Sequence, residues 1–158
     1  MTRRPFLAFL SAVGLAPRIA ASQTPGTSKI EPVKLSDAEW KQRLSPAAYD
    51  VLRHEGTEYA GSSPLNNEHR KGRFHCAGCD LALFTSETKF ESGTGWPSFY
   101  QSLPGAVSTK TDVKMILPRT EYHCVKCGGH QGHIFDDGPA PTGKRYCNNG
   151  VALKFVAA

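Results

Sequence analysis

Arg73-Phe74-His75-Cys76-Ala77-Gly78-Cys79-Asp80-Leu81-Ala82-Leu83-Phe84 is the stretch that decides the fold. Two short apolar runs, Arg73–Cys76 and Leu81–Phe84, flank a Cys-x-x-Cys knuckle and read as strands. Gly78 supplies the tight turn that a knuckle needs. The pattern returns downstream as Cys124-Val125-Lys126-Cys127, followed by Gly128. Around the two knuckles, Val113–Leu117, Glu121–Cys124, Lys144–Cys147 and Val151–Val156 are further strand candidates, separated by Gly, Pro, Asn and Asp. Residues 71–156 therefore read as a small, mainly antiparallel β domain with no internal repeat beyond the knuckle itself.

Upstream of the strands the signals are helical. Ser36 stands three residues before Glu39, a capping box that predicts a helix over Asp37–Arg43. Ser45-Pro46 opens a second helix over Ala47–His54, with Gly56 as its stop. Trp40, Leu44, Tyr49 and Leu52 are expected to pack these helices onto the strands.

At 158 residues the chain is sized for one domain, and its 39% hydrophobic and 21% charged content excludes wholesale disorder. The formal charge of +5 is partly an end effect, because Arg3, Arg4 and Arg18 fall in the first 22 residues, where no acid occurs. Without them 16 basic residues face 14 acidic ones. A net +2 gives no footprint for nucleic acid. Residues 1–22 read as an export signal: Arg3-Arg4, an apolar run from Phe6 to Ala16, then Ala20-Ala21-Ser22 for cleavage. The arginine pair before Phe6-Leu7 resembles a twin-arginine signal, with Ala8 in place of the usual lysine. The expectation is a periplasmic protein without stable membrane association, with a flexible linker over 23–34 and a folded domain over 35–158.

Four of the five cysteines form the two knuckles. Two residues between sulfurs let each pair reach one tetrahedral metal, and two pairs complete the all-thiolate shell of a closed structural zinc site. Disulfides, or one redox-active pair, are the alternatives for Cys76, Cys79, Cys124 and Cys127. The fifth, Cys147, could be simple packing, but its surroundings suggest chemistry. Arg145 lies two residues away on the same strand face, where a guanidinium would favour the thiolate. Asn149 offers hydrogen bonds, and His130-Gln131-Gly132-His133 brings two imidazoles suited to proton delivery near neutral pH.

Several ordered motifs now resemble one family, the B-type methionine-(R)-sulfoxide reductases. They are Lys89-Phe90-Glu91-Ser92-Gly93, Gly95-Trp96-Pro97-Ser98-Phe99, Arg119-Thr120-Glu121, both knuckles and His130-Gln131-Gly132-His133-Ile134-Phe135. Asp137-Gly138-Pro139, Pro141-Thr142-Gly143 and Arg145-Tyr146-Cys147-Asn148-Asn149 complete the set, which spans about Leu35 to Phe155. The resemblance implies two small antiparallel sheets with short N-terminal helices and a four-cysteine structural zinc site. It makes Cys147 the attacking thiolate, with Arg145 in support. His130 and His133 hold and protonate the sulfoxide oxygen, and Asn149 orders the site. Trp96 faces the substrate methyl group, and Phe135 is a second apolar contact. Oxidised proteins would be the substrate and a sulfenic acid on Cys147 the product.

Simpler roles stand beside these: Trp96 and Phe135 as core, the two histidines as a metal pair, and Glu121 as the strand partner of Arg119. Two departures from the family matter. Thr94 occupies the position of its resolving cysteine, so regeneration is expected from an external thiol, a thioredoxin-like protein or a small thiol. Gly150 replaces a serine. A monomer is expected. The competing readings are a zinc-stapled binding module, which gives Cys147 no role, and a peroxide-sensing thiol protein.

Overall fold

The computed structural model describes residues 30–158. The export signal over 1–22 and linker residues 23–29 lie outside the described residues. The chain opens with two helices, α1 (Asp37–Arg43) and α2 (Pro46–His54). Both begin as their caps dictate. The Ser36 hydroxyl accepts from the Glu39 N–H while the Glu39 carboxylate accepts from the Ser36 N–H, and the Ser45 hydroxyl accepts from the Ala48 N–H. The stop of α2 differs from expectation. Glu55, not Gly56, takes the left-handed conformation at φ 60°, and its carboxylate is gripped by Lys110 and Lys114.

Nine strands follow: β1 (Gly72–Cys76), β2 (Ala82–Thr85), β3 (Lys89–Phe90), β4 (Ser98–Phe99), β5 (Val107–Asp112), β6 (Arg119–Cys124), β7 (His130–Phe135), β8 (Arg145–Asn148) and β9 (Leu153–Ala157). They form two sheets, ordered β2-β1-β9 and β3-β4-β8-β7-β6-β5, and every pairing is antiparallel. The expected mainly β architecture with two small antiparallel sheets is the one observed.

Aromatic rings join the sheets. Phe84 of β2 stacks on Phe99 of β4 at 4.1 Å between centroids, and Phe74 of β1 meets the same ring edge-on at 4.9 Å. Phe74, Phe84, Phe99 and Tyr122 are fully buried. Each such ring removes well over 100 Å² from water, which makes this cluster the main apolar contribution to the fold. Trp40, Leu44, Tyr49 and Leu52 are buried under the helices as expected. Val33, in the expected linker, already packs against this core and donates its N–H to the Lys126 carbonyl at 2.7 Å.

Strands β3, β4 and β5 are not among the strand candidates, and three further differences bear on the site. Val113–Leu117 is not a strand; it is the exposed turn between β5 and β6, whose pairing runs from Val107 opposite Cys124 to Asp112 opposite Arg119. Asp112 ends β5 by accepting the Lys114 N–H on its own carboxylate at 2.9 Å, a local bond that competes with the ladder. Second, His130–Phe135 is a strand despite its glycine. Third, the last strand starts only at Leu153, after a short 3-10 turn over Gly150–Ala152. No helix among the described residues is long and apolar enough to cross a membrane.

Candidate active site and metal centre

Cys147 lies in β8 directly between two neighbours, opposite Ser98 of β4 and opposite His133 of β7. Opposed residues share a sheet face with Cβ atoms about 5 Å apart, so the pairing alone brings thiol and imidazole together. The two line a cleft of about 140 Å³ with Trp96, Phe135, Asn148 and Asn149. The Trp96 indole is fixed by its N–H, which donates to the Glu58 carbonyl at 3.1 Å.

The histidine pair depends on a bulge. Residues three apart on a regular strand face opposite sides. Here Gly132 pairs with Tyr122 but His130 with His123, so β7 carries one extra residue, Gln131. The bulge returns His130 to the face of His133, with ring centroids 5.4 Å apart. Gly132 is needed for contact as well: a Cβ there would fall 1.9 Å from the Cys147 carbonyl oxygen.

Each imidazole has its own buried carboxylate. His133 Nε2 is 2.8 Å from Asp112, and His130 Nδ1 is 2.8 Å from Glu121. Arg119 pairs with Asp112 at 2.6 Å, so the expected Arg119–Glu121 pair is replaced. Glu121 instead meets His130 and Lys110, because the strand partner opposite Glu121 is Lys110. Asp112 is held well below the usual carboxylate range by the Lys114 N–H, His133 and Arg119.

His130 does not line the Cys147 cleft. It sits behind His133, opening on a neighbouring hollow with Glu55, Lys110 and Glu121. Its Nε2 is buried without a partner. Burial depresses its pKa against the opposing pull of Glu121. The ring is therefore neutral near neutral pH, with its proton on Nδ1 toward the carboxylate.

At Cys147 the expected pull of Arg145 exists but loses. Burial pushes the thiol above its ordinary value; the Arg145 guanidinium and the Thr94 hydroxyl lower it by less. The guanidinium is shared, because its Nε and Nη2 both donate to Asp137 at 2.8 Å and its plane lies 4.4 Å from the Phe135 ring centroid. Asn149 has a structural engagement. Its N–H and side-chain amide both donate to the Gln131 carbonyl, at 2.8 and 3.0 Å, and its Oδ1 accepts from Glu58. At the family's serine position, a Cβ on Gly150 would lie 1.8 Å from the Ser63 hydroxyl, which already fills that space.

The metal-ligand cysteines come from the β1–β2 and β6–β7 turns. Cys76, Cys79, Cys124 and Cys127 are all buried, unbridged, and have sulfurs within 4.8 Å of one another. The Cys76–Cys127 and Cys79–Cys124 sulfurs are 3.6 and 3.4 Å apart. Ligand sulfurs on a tetrahedron with bonds of about 2.3 Å stand about 3.8 Å apart, so the cluster has the size that a four-coordinate metal ion needs. Contacts among the four sulfurs drive Cys76 and Cys124 up and Cys79 and Cys127 down. Gln131, fully buried, donates its amide to Cys76 Sγ at 3.4 Å.

Sequence reasoning missed Asp112, Asn148 and the anchoring role of Gln131. Asn148 is fully buried and accepts the Tyr122 hydroxyl at 2.6 Å. Asp112 could have been found from the hairpin register, had β5 been placed before residue 113.

The SelR domain matches residues 44–157 of the chain. A peptide methionine sulfoxide reductase B1, chloroplastic, of Arabidopsis thaliana is 51% identical over 82% of this chain and 64% of its own length. Peptide methionine sulfoxide reductases MsrB of Leptospira interrogans and Methanosarcina barkeri are 51% and 52% identical, each over 78% of this chain and over 95% and 87% of their own.

Proposed function

This chain belongs to the SelR-domain, MsrB family of peptide methionine sulfoxide reductases, and we propose that it reduces the R epimer of methionine sulfoxide in proteins through Cys147. The carrying observation is the cross-strand placement of Cys147 beside His133 in a cleft walled by Trp96 and Phe135. Ionised Cys147 attacks the sulfoxide sulfur while His133, oriented by Asp112, places a proton on the sulfoxide oxygen. His130, neutral and outside the cleft with its Nδ1 proton toward Glu121, backs the His133 ring and adds no second proton. The protonated oxygen then passes to the Cys147 sulfur as its bond to the methionine sulfur and the new sulfur–sulfur bond break, so methionine leaves and Cys147 is left as a sulfenic acid. Trp96 and Phe135 offer apolar faces to the S-methyl group.

Regeneration falls to an external reductant. One thiol displaces water from the sulfenic acid to give a mixed disulfide, and a second thiol releases Cys147. Thr94 occupies the position of the family's resolving cysteine, and its hydroxyl acts on the Cys147 thiol only as a polar neighbour that lowers its pKa. The four-cysteine shell takes zinc as a closed structural ion holding the two turns together. The signal read at residues 1–22 supports export to the periplasm, where a thioredoxin-like protein or a small thiol would serve.

Separate R and S epimers of a blocked methionine sulfoxide, supplied with a dithiol, test this reading. Turnover of R alone, lost in Cys147→Ser, is expected. Turnover of S, or a persisting rate in Cys147→Ser, would overturn it.

A further inference from the structure

The β5–β6 turn carries a run of exposed apolar side chains. Val113, Met115, Ile116 and Leu117 are 72%, 61%, 101% and 75% exposed. Such a contiguous apolar exposure marks an interaction surface more often than a chance arrangement. The base of the turn is tied down. Asp112 accepts both the Lys114 N–H and the Arg119 guanidinium, and the Lys114 ammonium is held by Glu55. The run therefore projects from a fixed base.

The turn forms one wall of a groove whose floor is Ile134 and Phe135 of β7. That groove is continuous with the Cys147 cleft, because Arg119 and Phe135 line both. A methionine sulfoxide inside a polypeptide brings chain with it on both sides. At about 3.3 Å per extended residue, its next two or three neighbours must leave the cleft across the surrounding surface. One such exit is apolar.

We propose that the groove between the Val113–Pro118 turn and β7 docks apolar residues flanking methionine sulfoxide in an unfolded protein substrate. This rests on the reductase reading above. Native methionines sit among apolar neighbours that are buried. Sulfoxide formation disrupts such packing, and an extended segment with apolar side chains next to the sulfoxide is what a damaged core exposes. The groove matches that chemistry, with aliphatic wall and floor leading to the aromatic faces beside the thiol.

Three probes separate the contributions: blocked methionine-(R)-sulfoxide alone, a peptide with it between leucine and valine residues, and one with it between serines. The wild-type protein should show a KM for the apolar peptide about tenfold below that for the serine peptide, the scale expected for two partly buried aliphatic side chains. Ile116→Ser/Leu117→Ser should erase that preference and leave turnover of the blocked amino acid unchanged. Equal KM values for both peptides in wild type, or a variant that slows all three probes alike, would overturn the proposal. Hydrogen exchange at residues 113–118 distinguishes other occupants. Protection in the free protein would assign the surface to the chain's own N-terminal segment, or, if it grows with protein concentration, to a second copy, and either result overturns the proposal. Failure on the blocked amino acid itself would instead refute the reductase reading.

Discussion

The chain uses one residue type in two opposite ways. Cys76, Cys79, Cys124 and Cys127 are withdrawn from solvent and crowd one another. Cys147 is half-buried in a cleft, the one sulfur among the His133 imidazole, a guanidinium and a hydroxyl. Four sulfurs together cannot all carry charge without a cation among them, so their shared environment selects a metal. One sulfur beside an imidazole and an arginine can ionise and be reached. The comparison shows that neighbours, more than the thiol, decide between staple and nucleophile.

The largest contrast should come from removing one sulfur of each kind. Cys124→Ser should lose the bound metal and the cooperative thermal transition, since structural zinc contributes roughly 10–16 kcal/mol in small domains. Cys147→Ser should abolish turnover while metal content and Tm stay at wild-type values. Metal analysis and calorimetry of the two variants read this directly. Equal stability of both would mean that the four-cysteine site is not a staple.

A second, smaller test follows from the raised thiol. Thiolate is the reactive form, so a raised pKa makes the rate of Cys147 alkylation climb with pH through a midpoint above that of a free thiol. Arg145→Gln removes the main opposing pull and should move the midpoint further up, slowing alkylation at a fixed pH near 8. Mass spectrometry of the Cys147 peptide measures it, and a midpoint unchanged by Arg145→Gln would remove Arg145 from the account.

The smallest effect is expected where the two regions touch. Gln131 donates to Cys76 with its side chain and receives Asn149 with its backbone. Gln131→Leu loses a weak N–H···S contact but also removes a buried Oε1 that has no partner. These oppose each other, so stability should change by no more than about 1 kcal/mol and kcat/KM by no more than about threefold. A much larger drop in kcat at full metal occupancy would show that the staple and the nucleophile are coupled.

Much of this arrangement could be read from residue order alone, and the reasons differ by element. Both helix starts are local, written in Ser36–Glu39 and Ser45-Pro46, and the structure keeps them. The knuckles are local too, so the convergence of four cysteines was readable from their spacing. What escaped is cross-strand. The apolar run Val113–Leu117 resembles a strand, yet Asp112 closes β5 before it, and the run becomes an exposed turn. The carboxylates behind the histidines come from neighbouring strands, where residue order gives no distance. Burial at Cys147 depends on β4 and β7 closing on either side, which the arginine two residues away could not reveal.

The bulge in β7 has a consequence for the lengths this chain can tolerate. Deleting Gln131 would keep His130 opposite His123 and Gly132 opposite Tyr122 but would lose the carbonyl that holds Asn149 and the amide on Cys76 Sγ. Deleting Gly132 would set a side chain against the Cys147 carbonyl. Residues 113–118 lie beyond the last paired positions of β5 and β6, and lengthening there costs only the slow logarithmic growth of loop entropy. Two neighbouring hairpins thus differ in their freedom to drift: one can gain or lose residues and the other cannot.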